Sequence, residues 1–272
     1  MRLATLFLVA TACLGVASNA VAQTKQPTIV LNGGNGMGLE ITKPVLEMAG
    51  GSRAVVAVVI HAQGPGDMAL DDWRRAQPAE VIPINATDVA NSRQVFDRAT
   101  LIWFAGGFTT TLMDAIRDSY LPRYIRERWA SGGVVGGDSA GGMIFPQDIL
   151  ISGPADLTSI VAGRTKTTTG IGLVPLLLFD AHFLKRQRLN RLVSLVLDHP
   201  DRVGIGADEG TAVVIRGRQL EVLGVSNVVV LDARKGKVSR LKDGQVSNGR
   251  DVRMQVLTHG MRLDLGNSAP RP

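Results

Sequence analysis

Short apolar runs, each closed by a turn signal, constrain this chain more than any other feature. Residues 28–31 end in Asn32-Gly33-Gly34, residues 54–60 in His61, and residues 101–104 in Ala105-Gly106-Gly107. Residues 81–84 form a further run, and Val134-Val135 lead into Gly136-Gly137-Asp138-Ser139. The runs are continuous rather than alternating, the pattern of strands buried on both faces. Helical stretches at 44–48, 68–77, 89–99 and 120–129 separate them. Strands alternating with helices predict an α/β fold, a three-layer α/β/α sandwich around a mostly parallel sheet. After Ala207 the texture changes to short runs at 211–215, 219–222 and 227–231 with turns such as Arg216-Gly217-Arg218. These read as antiparallel additions to the sheet edge. With no linker or composition break, residues 23–265 are expected to form one domain and 266–272 a flexible tail.

The N-terminus reads as a targeting segment. Arg2 precedes an uncharged apolar run over 3–17, and Ala20-Val21-Ala22 gives the small-x-small cleavage pattern. A signal peptide over 1–22 and a mature chain starting at Gln23 are expected, exported to the periplasm or the medium. The run is shorter than the ~20 residues of a membrane span. Ala10-Thr11-Ala12-Cys13 resembles a lipoprotein cleavage box, but Ala10 stands where such boxes favour Leu. Cys13 is the sole cysteine, so a cleaved chain has neither a thiol nucleophile nor a Cys-ligated metal. The net charge of +6 is spread thinly, with no run of five basic residues, and aromatics make up 4% of the chain. A basic surface is therefore expected, not a nucleic-acid site. No cofactor, no metal and no membrane insertion after cleavage are expected; a homodimer stays open.

Gly137-Asp138-Ser139-Ala140-Gly141 carries the strongest chemical signal. A G-x-S-x-G between a strand and a helix permits a strained turn that lifts a serine Oγ clear of the backbone, and the amide of Ala140 can donate to a developing oxyanion. A serine nucleophile needs a base. His182, after the apolar run 176–179, and His259, near the C-terminus, are the candidates; His61 and His199 read as structural. Glu209, after the run ending at Ala207, is a candidate to orient the base, with Asp180 and Asp156 as competitors. Two orders are open: Ser139–His182–Glu209, and the α/β-hydrolase order Ser139–Asp208–His259. The short hairpins after Ala207 count against the second. Gly34-Asn35-Gly36-Met37-Gly38 fails the dinucleotide spacing at Leu39, and no acidic residue closes the next strand.

Taken in order, four segments resemble the cyanophycinase and dipeptidase E family of serine exopeptidases. They are Gly136-Gly137-Asp138-Ser139-Ala140-Gly141-Gly142, Phe179-Asp180-Ala181-His182-Phe183, the spaced Arg186, Arg188 and Arg191, and Gly206-Ala207-Asp208-Glu209-Gly210-Thr211-Ala212. The resemblance implies a sandwich like that of class I glutamine amidotransferases, with Ser139 as nucleophile, His182 as base and Glu209 orienting it. It also implies an oxyanion hole from the amides of Gly107 and Ala140, and a substrate side lined by Arg186, Arg188, Arg191 and Asp180. Ala181 replaces the family's usual Gln, and Phe108 follows a Gly-Gly after which the family carries polar residues. The chain is therefore expected to favour short acidic peptides over the polymer cyanophycin.

Overall fold

The structure, a computed structural model, describes residues 26–61, 64, 66–152 and 160–266. The expected leader and residues 267–272 of the expected tail lie outside the described residues. The first half of the chain runs β1 (Thr28–Asn32), α1 (Leu39–Met48), β2 (Val55–Ile60), α2 (Gly66–Arg75), β3 (Glu80–Asn85), α3 (Arg93–Arg98), β4 (Leu101–Phe104), α4 (Thr109–Ile116), α5 (Leu121–Ala130), β5 (Val134–Asp138) and α6 (Ala140–Met143). The second half runs β6 (Asp148–Ser152), β7 (Lys166–Thr169), β8 (Leu177–Asp180), α7 (Leu189–Asp198), β9 (Val203–Ala207), β10 (Thr211–Arg216), β11 (Gln219–Gly224) and β12 (Val228–Asp232). Four short strands follow: β13 (Lys237–Val238), β14 (Gly249–Arg250), β15 (Arg253–Leu257) and β16 (Arg262–Asp264).

An eight-stranded sheet in the order β16-β11-β10-β1-β5-β4-β2-β3 forms the centre. The five strands from β3 to β1 pair in parallel, and β10, β11 and β16 add antiparallel. Both faces are covered, as the continuous apolar runs require. Successive side chains of a strand point to opposite faces. Val30, Val56, Val58, Leu101 and Trp103 therefore pack with α1 and α2 on one side. Ile29, Leu31, Ala57, Val59, Ile102 and Phe104 pack with α3, α4 and α5 on the other. Fully burying each such Val, Leu or Ile is worth about 1.5–3 kcal/mol. In α5, Leu121, Tyr124 and Ile125 recur at helical spacing and form the buried stripe, while Pro122 sits in the first turn, where an N–H has no intrahelical partner to lose.

Two expectations need correction. The run at 227–231 does not join the edge of the main sheet. As β12 it lies between β9 and β15 in a second, four-stranded sheet of order β15-β12-β9-β8. The outer edge of β11 is already taken by β16, whereas β9 offers an edge, and Val228 pairs with Ala207 there. The stretch at 89–99 is also not one helix. A 3-10 segment, Ala86–Asn91, starts under the Asn85 side chain, which accepts from the Thr87 amide, and the chain breaks at Ser92 before α3. The C-terminal tips of β1, β4, β5, β8 and β9 converge at one end of the molecule, where open α/β sheets gather their chemistry.

Candidate active site

Tight packing builds the elbow after β5. Ser139 has φ 51° and ψ −118°, a conformation that persists only where its surroundings over-determine it. Those surroundings are specific. The Ser139 amide donates to the Asn32 carbonyl at 2.9 Å, and the Ser139 carbonyl accepts from Gly142 and Met143, each at 3.0 Å. A Cβ added to Gly141 would stand 2.0 Å from the Phe104 carbonyl oxygen, so only glycine lets α6 start this close to β4. The expected strained turn is present.

His182 and Glu209 come from the other sheet. His182 follows β8 with φ 47°, and its amide donates to the Gly33 carbonyl at 2.7 Å. Its ring lies over Gly34, where a Cβ would meet the imidazole at 2.5 Å. Glu209 follows β9, and the next amide, on Gly210, donates to the Gly34 carbonyl at 3.0 Å. The loop after β1 thus fixes both residues. Ser139 Oγ lies 2.8 Å from His182 Nε2, and His182 Nδ1 lies 2.8 Å from Glu209 Oε1. Burial lowers the pKa of His182; its hydrogen bond to Glu209 opposes that, and the nearby Arg186 reinforces it. A neutral imidazole can then accept from the serine hydroxyl while its Nδ1–H donates to the carboxylate.

The residues expected to form the oxyanion hole are Gly107 and Ala140. Ala140 directly follows Ser139, buried at the start of α6. Gly106 packs so closely that a Cβ there would stand 3.3 Å from Ser139 Cβ, and Gly107 follows with φ 145°. This loop is tied to the elbow by Asp138. The buried carboxylate accepts from the Trp103 indole N–H and from the Gly106 amide, each at 3.1 Å. Burial pushes the Asp138 pKa up to about 6, although both hydrogen bonds pull it down. Sequence reading passed over Asp138 as the variable position of the elbow; the signal available was a carboxylate at the tip of a fully apolar strand.

The arginine segment departs from expectation. Asp180 is completely buried and pairs with both Arg188 and Arg191, and Arg188 also donates to the Ala181 carbonyl at 2.7 Å. These three residues turn into the protein rather than toward a substrate, because an unpaired buried carboxylate would cost far more than the pairs do. Arg186 remains exposed beside His182. Asp180 is equally removed from the triad acid position. The alternative order also fails to assemble. Asp208 accepts from the Leu184 and Lys185 amides and the Ser226 hydroxyl, while His259 accepts from the Gly224 amide on an exposed hairpin. Asp156 lies outside the described residues. Among the described residues no group of three His, Cys, Asp or Glu side chains could hold a metal.

The model of peptidase family S51 matches residues 76–223, which contain the elbow, His182 and Glu209. The chain belongs to peptidase family S51. It is 31% identical over 237 residues to a cyanophycinase of Synechococcus elongatus, covering 82% of this chain and 73% of that one. It is 29% identical over 262 residues to a cyanophycinase of Trichormus variabilis, covering 89% and 86%. A peptidase from an acI-B1 Actinobacterium shares the fold with a TM-score of 0.64 at 23% identity, over 89% of this chain and 98% of that one. A putative peptidase E from Listeria monocytogenes aligns with a TM-score of 0.54 at 13% identity, over 74% and 100%. The protein is a serine-type peptidase of the cyanophycinase and peptidase E family, on the α/β fold read from its strands.

Proposed function

We propose that this S51 peptidase hydrolyses short peptides carrying a carboxylate near the scissile bond, through Ser139, His182 and Glu209. Two successive 2.8 Å contacts linking hydroxyl, imidazole and carboxylate carry this reading. Ser139 Oγ attacks the scissile carbonyl carbon as its proton passes to His182 Nε2. The carbonyl oxygen becomes an oxyanion facing the amides of Gly107 and Ala140. As the C–N bond breaks, His182 returns the proton to the leaving amine, and water then cleaves the acyl-enzyme by the same exchange in reverse. The Glu209 carboxylate stabilises the imidazolium.

Arg186 is the residue proposed to meet the substrate carboxylate, since a guanidinium keeps its charge and offers a bidentate fork. Ala181 and the exposed Phe108 make the surroundings less polar, so cyanophycin is expected to be a poor substrate beside Asp-X and β-Asp-X dipeptides. The protein is also proposed to be exported with Gln23 as its first residue, and a lipid-modified Cys13 at the N-terminus of secreted material would overturn this. The deciding experiment for the chemistry is a fluorophosphonate probe with turnover of a dipeptide panel. Labelling of the wild type but not of Ser139→Ala, with turnover lowered at least ~10³-fold in Ser139→Ala and His182→Ala, is the expected result. A His259→Ala variant that loses activity while His182→Ala keeps it would sink the assignment.

A further inference from the structure

Strand β2 runs parallel to β4 with Val59 opposite Phe104. Extending that register by two residues brings His61 beside Gly106, at the tips of two neighbouring strands. His61 is 6% exposed, and neither ring nitrogen meets hydrogen-bond geometry with a partner among the described residues. Its ring fills the space above Gly107, where a Cβ would stand 2.1 Å from Nε2. The Gly106 carbonyl oxygen faces the same spot: a Cβ on Gly64 would lie 2.1 Å from that oxygen and 3.2 Å from His61 Nε2. Burial lowers the His61 pKa, and proximity to the Gly106 carbonyl opposes this. A neutral imidazole keeps one N–H, and this carbonyl is the acceptor facing it.

Two consecutive glycines cannot hold a peptide in one orientation unaided. The Gly106 carbonyl and the Gly107 N–H belong to one planar trans peptide and point in opposite directions, so fixing one aims the other. Asp138 already holds the peptide before it, accepting from the Gly106 N–H. We propose that His61 is a positioning residue that, with Asp138 holding the preceding peptide, orients the Gly106–Gly107 peptide and aims the Gly107 N–H at the oxyanion. This rests on the proposed serine mechanism. The His61 bond need not be complete at rest, because catalytic hydrogen bonds commonly tighten only as the transition state forms. In the sequence His61 reads only as the structural end of an apolar run, outside the four family-like segments.

The experiment compares His61→Phe and His61→Gln with the wild type on an Asp-X dipeptide, together with the affinity for a peptide boronic acid that mimics the tetrahedral intermediate. Misaiming one donor is expected to lower kcat about 10–100-fold, against the 10²–10³ of losing a donor outright, with KM within about threefold. Boronate affinity should fall in parallel with kcat, and His61→Gln, which keeps an N–H donor, should recover part of both. A folded His61→Phe with unchanged kcat, or a raised KM at constant kcat, overturns the clamp. If His61→Phe does not fold, His61→Leu, which lacks a donor, decides: kcat and boronate affinity falling together support the clamp, and both unchanged refute it. A wild type that no fluorophosphonate labels would instead sink the serine mechanism itself, which separates the two failures.

Discussion

Two buried aspartates stand beside the two reacting groups, and they do different work. Asp138 precedes Ser139 directly, accepts from two neutral donors, and has its pKa pushed up to about 6 by burial. Asp180 lies two residues before His182 and is held between two guanidinium groups. The same side chain at similar depth thus serves as a titratable tie to a glycine loop in one place and as the anchor of an ionic cluster in the other. Partner type, not burial, separates the roles. On the histidine side the carboxylate left to act on the imidazole is Glu209.

That division can be broken experimentally, and the largest effect is expected at Glu209. Glu209→Gln should lower kcat by about 10³–10⁴, the scale of losing the orienting acid of a triad. It should also shift the pH profile. The active form of His182 is neutral, so the acid limb of kcat/KM lies below the ordinary imidazole value of 6.5. Glu209 raises that pKa, so its loss should move the limb lower still; an upward shift would place the imidazole's partner elsewhere. Next comes Asp180→Ala, which strands two buried cations and should cost about 3–5 kcal/mol in urea unfolding. A cost below about 1 kcal/mol, the range of an exposed pair, would mean that the cluster is solvated and that the comparison fails. Arg186→Ala should lower kcat/KM for acidic dipeptides about 10–100-fold, as expected for a lost charged hydrogen bond, and leave neutral ones unaffected. Arg188→Ala should reduce stability without changing that preference. If Arg188→Ala shifted the preference instead, the inward-facing cluster would be part of the substrate side after all.

The smallest effect is at Asp138. Its folded pKa of about 6 lies above the unfolded 3.8, so the native state binds the extra proton between these values. Stability from this group is present below about pH 4 and declines as pH rises to about 6. Relative to Asp138→Asn, the wild type should therefore lose ground across that window in unfolding measured at steps from pH 4 to 7. A constant difference between the two proteins would show that Asp138 does not titrate there.

Legibility in the sequence followed physical signals. The parallel half was readable because strands buried on both faces need unbroken apolar runs, and β1, β2, β4 and β5 have them. The elbow was readable because only glycine allows its close approaches. By contrast, β15 carries Arg253, Met254 and Gln255, exposes much of its length, and gives no run to detect. The ionic cluster was hidden for another reason: nothing in Arg188 or Arg191 reveals whether a guanidinium points outward or toward a buried acid. The role of His61 was unreadable because it lies in the loop the ring faces, which follows a different strand, while Asp138 gave only its place at a strand tip.

The proposed catalytic groups are divided between two sheets. Ser139 rides on the eight-stranded sheet, while His182 and Glu209 hang from the tips of the four-stranded one. Two backbone hydrogen bonds, to the carbonyls of Gly33 and Gly34, stitch the halves together at the site. Nucleophile and base are therefore aligned across a seam, and a shift of one layer against the other by about 1 Å would open their contact while leaving each sheet intact. Catalytic competence is then a more fragile property than folding, and on warming the enzyme should fall silent before either layer melts.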